Sequence, residues 1–223
     1  MYFGLSEDQI FFQDNVKKFL EDNAPLDLIR KISKGEDLNQ KNEIHSGIIN
    51  LGINNILVPE EHGGLGLDLL FAAAISQSIG EAVAPLPYCG SYVMAPIAIQ
   101  IGASKSQKEN IFNEMSSGNT KFGIAFSEYF GSRDSSSINF SNEKINGKTI
   151  FAIDCDYATD VLVSDASGKI GIVSIEDKNI EIVDLITVDK TRTYKEIKFS
   201  NANVEILENT KKNTDAIEKA LDA

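Results

Sequence analysis

The stretch VPEEHGGLGLD, residues 58–68, places Gly63, Gly64 and Gly66 within four positions and beside His62. Glycines this close together let a backbone approach a phosphate, so nucleotide binding is the first chemistry to test. A dinucleotide loop needs a strand before it, a helix after it and G-x-G-x-x-G spacing. No window of the chain has that spacing, and the residues ahead of the loop are helical in pattern. The expected role is a tight connection between helices that uses left-handed glycines. His62 could serve as an acid or base, but no Ser or Cys nucleophile stands beside it, and it is read as a loop-surface group. Glu60 and Glu61 are read as surface groups or a helix cap. Cys89 and Cys155 lie far apart, and His45 and His62 are the only histidines. No zinc site is expected from that set, and both thiols are read as reduced and structural.

The elements that must position these residues divide at about residue 120. LSEDQIFFQDNVKKFLEDN opens with Ser6 and Gln9 in capping-box spacing and sets Phe12, Val16, Phe19 and Leu20 on one helical face. A second helix runs through Ile44, Ile48 and Ile49 and stops at Gly52. Further helices follow in LLFAAAISQSIGEAVA, in GSYVMAPIAIQIGA with Pro96 starting or kinking it, and in SKSQKENIFNEMSSG between a Ser104/Gln107 box and Gly118. Beyond Gly118 the spacing changes to alternation. KFGIAFSE, KTIFAID, DVLVSD, KIGIVSI, IEIVDL and TYKEIKFS read as short antiparallel strands, with NGK and ASGK as turns. From Glu208 the pattern returns to helix, with Ile217 and Leu221 on an apolar stripe that the chain has little surface to cover.

Composition excludes several classes of function. A chain of 223 residues buries a core without disulfides or metal. Its net charge of −12 is spread along the length, which leaves no basic footprint for a nucleic acid. No apolar run approaches the roughly 18 to 20 residues that span a bilayer, and the N-terminus lacks the pattern of a secretory signal. The expected location is cytoplasmic.

The ordered set formed by VPEEHGGLGLD, AAAISQSIGEAVAP, GASKSQKENIFNEMSSGNTKFGIAFSE and EIKFSNANVEIL resembles the N-terminal and middle regions of the acyl-CoA dehydrogenase family. The resemblance implies an α+β chain: an N-terminal helical domain over 1–120, an antiparallel β-barrel-like domain over 121–206, and residues 207–223 as the first helix of a C-terminal helical bundle otherwise absent. It also implies FAD, an acyl-CoA substrate, an electron-transfer flavoprotein or similar acceptor, and a homo- or hetero-oligomer. The family's reaction is α,β-dehydrogenation, with a glutamate of the last domain as base. No catalytic residue is therefore expected within these 223 residues.

The family's flavin motif T-E-P-x-A-G-S-D falls on SEYFGSRD. Ser127, Glu128 and Asp134 match, Tyr129 replaces the proline, and Arg133 or Ser132 stands at the phosphate-contacting serine. The resemblance implies that Phe126 offers backbone polar groups to the flavin edge and that Ser127 offers its N–H and hydroxyl. The W-x-T strand falls on FAI, so Phe151 would shield the ring, whereas Ile153 has no hydroxyl to give. Glu128, Asp154 and Asp156 lie close to these strands and are read as turn or cap residues. Arg192 aligns with an arginine near the end of the family's β-domain, where a structural ion pair is preferred over a CoA-phosphate contact. An alternative follows from the altered motif: a flavin-poor partner subunit of a heteromeric dehydrogenase.

Overall fold

Two capping boxes set the frame of the helical part. In the computed structural model, which describes residues 4–131 and 137–223, helix α1 (Glu7–Asn23) starts where the Gln9 N–H donates to Ser6 Oγ at 3.2 Å and the Ser6 N–H to Gln9 Oε1 at 2.9 Å. Ser104 and Gln107 do the same for α6 (Lys105–Ser116). Between them run α2 (Leu26–Ile32), α3 (Leu38–Asn50), α4 (Leu69–Glu81), a π-helical turn (Tyr88–Met94) and α5 (Ala95–Gly102). Left-handed Gly52 and Gly118 follow α3 and α6, where a Cβ would strain the backbone. Pro96 sits in the first turn of α5, where its ring fixes a helical φ just as the π-helical turn passes into the α-helix.

The glycine loop turns the chain. Gly63 and Gly66 have φ of +80° and +60°, and a Cβ on Gly64 would stand 2.1 Å from the Val58 carbonyl oxygen. The N–H groups of Gly63, Gly64, Leu65, Gly66 and Leu67 donate to Glu60, Pro59, Asn55, Val58 and Ile56. With these donors spent inside the loop, none is left to cradle a phosphate. His62 stacks on Phe112, with ring centroids 5.5 Å apart, so it is more packed than a surface histidine.

The strands are β1 (Phe122–Ala125), β2 (Asn139–Ser141), β3 (Lys144–Ile153), β4 (Asp160–Ser164), β5 (Ile170–Ser174), β6 (Ile180–Asp184), β7 (Tyr194–Asn203) and β8 (Glu205–Ile206). They form one sheet in the order β6-β7-β3-β1-β4-β5-β8, with β2 added to β3. The sheet is mostly antiparallel, as expected, and two features mark where it departs from a closed barrel. The β1–β4 pair is parallel, because the connection from β3 to β4 (residues 154–159) crosses β1 before the chain re-enters the sheet. The sheet is also open among the described residues: β8 is only two residues long, and β6 and β8 remain at opposite ends. NGK is not a turn either. Asn146 to Lys148 lie inside β3 at an irregularity, and the hairpin turns at Asn142 and Glu143, both with positive φ.

Helix α7 (Asn213–Asp222) corrects a third expectation. Ala216, Ile217 and Ala220 are fully buried against α5, Phe112 and Leu207, so most of the apolar stripe is covered by the chain itself. Only Leu221 stays exposed. The reason is the small-residue surface of α5, with Ala95, Ala98 and Gly102 buried, which lets α7 approach closely.

Candidate functional site

Four of the residues implied for the cofactor, Phe126, Ser127, Phe151 and Ile153, come together at the ends of β1 and β3. Phe126 closes β1, is buried, and accepts the Tyr129 N–H on its carbonyl, which starts a single 3₁₀ turn, Ser127–Phe130. Ser127 Oγ donates to the Ile150 carbonyl at 2.7 Å and lies 2.9 Å from Thr149 Oγ1. A serine hydroxyl has one proton, so toward a ligand this one has only a lone pair left. Tyr129, at the position of the family's proline, reaches away and donates to Glu218 Oε1 of α7 at 2.8 Å. The Glu128 carboxylate in the same turn is buried, so it is not a solvated turn residue. Ser132, Arg133 and Asp134 lie outside the described residues.

Phe151 stands on a bulge. Thr149 pairs with Ile197 and Ala152 with Lys195, so Ile150 and Phe151 together oppose Glu196 alone. The extra residue turns Phe151 into the left-handed region, φ 58°, with 51% of its surface exposed. An aromatic side chain held there is strained and wet at once, a combination that marks functional surfaces more often than packing. Two residues on, Ile153 pairs with Ile124 and Tyr194 and packs toward the cluster beneath α5.

The β3–β4 crossover adds charge. Asp154, at φ 58°, accepts the Gly90 N–H on Oδ2 at 2.6 Å. Burial pushes its carboxyl up to about 6, against the Gly90 amide and Arg192, which pull it down. Asp156 receives Lys41 at 3.0 Å and Lys195 at 2.9 Å, and Lys195 also pairs with Asp184. Burial works against the Asp156 charge, but the two lysines outweigh it and hold the carboxyl at about 2. Neither aspartate is simply a solvated cap. His45 stacks on Tyr157 (3.9 Å between centroids) and meets at its edge the Tyr92 hydroxyl, 2.7 Å from Nε2. Burial first, then Lys121 and Lys41, lower its pKa to about 4. Arg192 is exposed and lies against the Cys89 thiol at 3.9 Å; among the described residues it makes no close carboxylate pair, although it still attracts the Asp154 charge.

Sequence reasoning did not single out His45, Tyr92 or the π-helical turn. The only local signal for the turn is Gly90–Ser91 in an apolar run between Pro87 and Pro96. Among the described residues no group of three or more His, Cys, Asp or Glu could hold a metal ion, and no helix is long and apolar enough to cross a membrane.

The residues fit a flavin in part. They present an exposed aromatic face at Phe151 beside the Phe126–Ser127 backbone, but the Ser127 proton is already spent and Ile153 brings no hydroxyl.

An acyl-CoA dehydrogenase N-terminal domain model matches residues 6–119, half of the chain, and the chain belongs to the acyl-CoA dehydrogenase family. Solved structures agree on the fold. The ChsE4-ChsE5 complex from Mycobacterium tuberculosis is 19% identical, with a TM-score of 0.79 over 97% of this chain and 61% of that one. A glutaryl-coenzyme A dehydrogenase in complex with glutaryl-CoA is 17% identical (TM-score 0.78; 99% and 61% covered). An acyl-CoA dehydrogenase from Geobacillus kaustophilus is 18% identical (TM-score 0.74; 99% and 63% covered). The chain thus spans about three fifths of the length of these structures. No curated protein sequence matches it.

Proposed function

We propose that the chain supplies the helical and β portions, residues 1–120 and 121–206, of an FAD-dependent enzyme that dehydrogenates an acyl-CoA thioester between its α and β carbons. Residues 207–223 begin a third, helical portion, and the location is cytoplasmic. The observation that carries the proposal is Phe151, an aromatic ring exposed on a strained bulge at the position where the family places its flavin-shielding residue. FAD, when bound, supplies the acceptor for the hydride that leaves the β-carbon. Phe151 would exclude water from one face of the ring system, with the Phe126 and Ser127 backbone at its edge. The Ser127 hydroxyl holds the turn to β3 and so fixes where that backbone lies. The proton-abstracting glutamate is assigned to sequence beyond these residues, and the electrons pass to an electron-transfer flavoprotein or a similar acceptor within a homo- or hetero-oligomer.

The spent proton on Ser127, the missing hydroxyl at Ile153 and the diversion of Tyr129 to Glu218 favour a second reading. In it the chain is a flavin-poor subunit that completes the acyl-CoA site of a partner. Mixing the 223-residue chain with FAD, a dye acceptor and butyryl-, octanoyl- or palmitoyl-CoA tests both readings. The expected result is weak FAD uptake and no dye reduction. Stoichiometric yellow flavin that bleaches with an acyl-CoA would show that the chain needs no further base or partner.

A further inference from the structure

Three successive residues of the π-helical turn are fixed to the sheet from three separate elements. Arg192, from the β6–β7 loop, lies 3.9 Å from Cys89 Sγ. Asp154, from the crossover, accepts the Gly90 N–H at 2.6 Å. Ser91 Oγ donates to the Phe122 carbonyl, at the start of β1, at 2.5 Å. The middle contact is the closest-fitting: a Cβ on Gly90 would stand 2.8 Å from Asp154 Oδ2 and 3.2 Å from Ile153 Cγ1. A side chain at position 90 would push the Asp154 carboxylate off the amide, and Asp154 makes the contact from a left-handed backbone.

The turn has a second side. Tyr88, Cys89, Val93 and Met94 line a mostly apolar groove of about 380 Å³ together with Ala72 of α4 and Leu221 of α7. The one turn therefore walls the groove with four of its residues and meets, through Gly90, the end of the strand on which Phe151 stands, three positions before Asp154. A π-helical turn is an irregular element that its own backbone hydrogen bonds do not strongly favour, so its placement depends on such outside contacts.

We propose that Asp154 is a positioning residue: its carboxylate fixes the π-helical turn, and with it the wall of the apolar groove, against the strand that carries Phe151. What this alignment serves rests on the reading of Phe151 given above; the fixing contact itself does not. The charged and titratable groups around Asp154 are Arg192 from the β6–β7 loop, Asp156 and Cys155 from its own crossover, Tyr92 from the turn, and Lys41, which lines the same cleft. An ionised carboxylate accepts an amide N–H more strongly than a neutral acid does. Ionisation strengthens that one bond, but burial costs the charge more than the bond returns and holds the carboxyl at about 6, so the closed arrangement is favoured below that pH and loosens above it.

Two readouts on the whole chain test the proposal without flavin. In the wild type the Gly90 amide resonance should move as pH crosses about 6, and Asp154→Asn should abolish that movement. The second readout is the rate at which Ellman's reagent modifies Cys89 at fixed pH, the other thiol, Cys155, being buried. Asp154→Ala should raise that rate about tenfold, and Asp154→Asn, which keeps an acceptor oxygen, should return it close to the wild-type value. A Gly90 amide that does not titrate in this range, or a Cys89 rate unchanged in Asp154→Ala, overturns the proposal. If Asp154→Ala does not fold, the Gly90 titration with Asp154→Asn decides it alone. An FAD affinity indifferent to Phe151→Ala would instead sink the flavin reading and leave both readouts standing.

Discussion

Phe151 sits where a residue chosen for stability would not. A left-handed backbone costs an L-residue about 1–2 kcal/mol, and half-exposure returns little of that through burial. Phe151→Gly should therefore leave the unfolding free energy within about 1 kcal/mol of wild type, although it deletes a whole ring. Phe122→Ala, which empties a site only 1% exposed, should cost about 3–5 kcal/mol. Urea unfolding of the two variants makes the comparison, and a Phe151→Gly loss as large as that of Phe122→Ala would mean that the ring is structural. The residue's type and position were legible through the FAI segment. Its backbone was not, because the bulge arises from pairing with β7, more than forty residues away. Nor was the engagement of Ser127, whose partners Thr149 and Ile150 are reached only once β1 and β3 are adjacent.

Among the elements, those with a local cause were readable. The two capping boxes, the left-handed glycines after α3 and α6, and six of the strands follow from short-range chemistry that the sequence displays. Elements fixed by distant partners were not readable. β2 is three residues long and exists because β3 pairs with it, and Asn142–Glu143 makes the turn where NGK had the stronger local signal. The π-helical turn is held by Arg192, Asp154 and Phe122, none near it in sequence. Helix α7 was legible as a helix but not as a docked one. With Ile217 fully buried under α5, Ile217→Ala should cost about 2–4 kcal/mol, and amides of 213–222 should exchange slowly in the isolated chain. Hydrogen exchange at the random-coil rate across that helix would show that it frays instead, as its length alone suggests.

At the scale of the molecule, helices and sheet are joined by buried ionisable groups, and this makes stability depend on pH in opposing ways. His45 has its pKa lowered from 6.5 to about 4 in the fold, so its contribution is fully present above 6.5 and is lost as pH falls toward 4, about 3 kcal/mol in all. Asp154 has its pKa raised from 3.8 to about 6, so its contribution is present below 3.8 and is lost, by a similar amount, as pH rises through 6. Relative to wild type, acidification from pH 7 to 4 should destabilise Asp154→Asn by about 3 kcal/mol more and His45→Gln by about 3 kcal/mol less. Urea titrations across that range check both signs, and parallel profiles for all three proteins would refute the assignment. The central claim, that the Phe151–Ile153 strand faces a flavin, is tested most directly by the FAD dissociation constants of wild type, Phe151→Ala and Ile153→Thr, measured by quenching of flavin fluorescence. Removing the ring should weaken binding about tenfold, and restoring a hydroxyl at Ile153 should tighten it by roughly 2- to 10-fold. Equal constants for the three proteins would contradict the account.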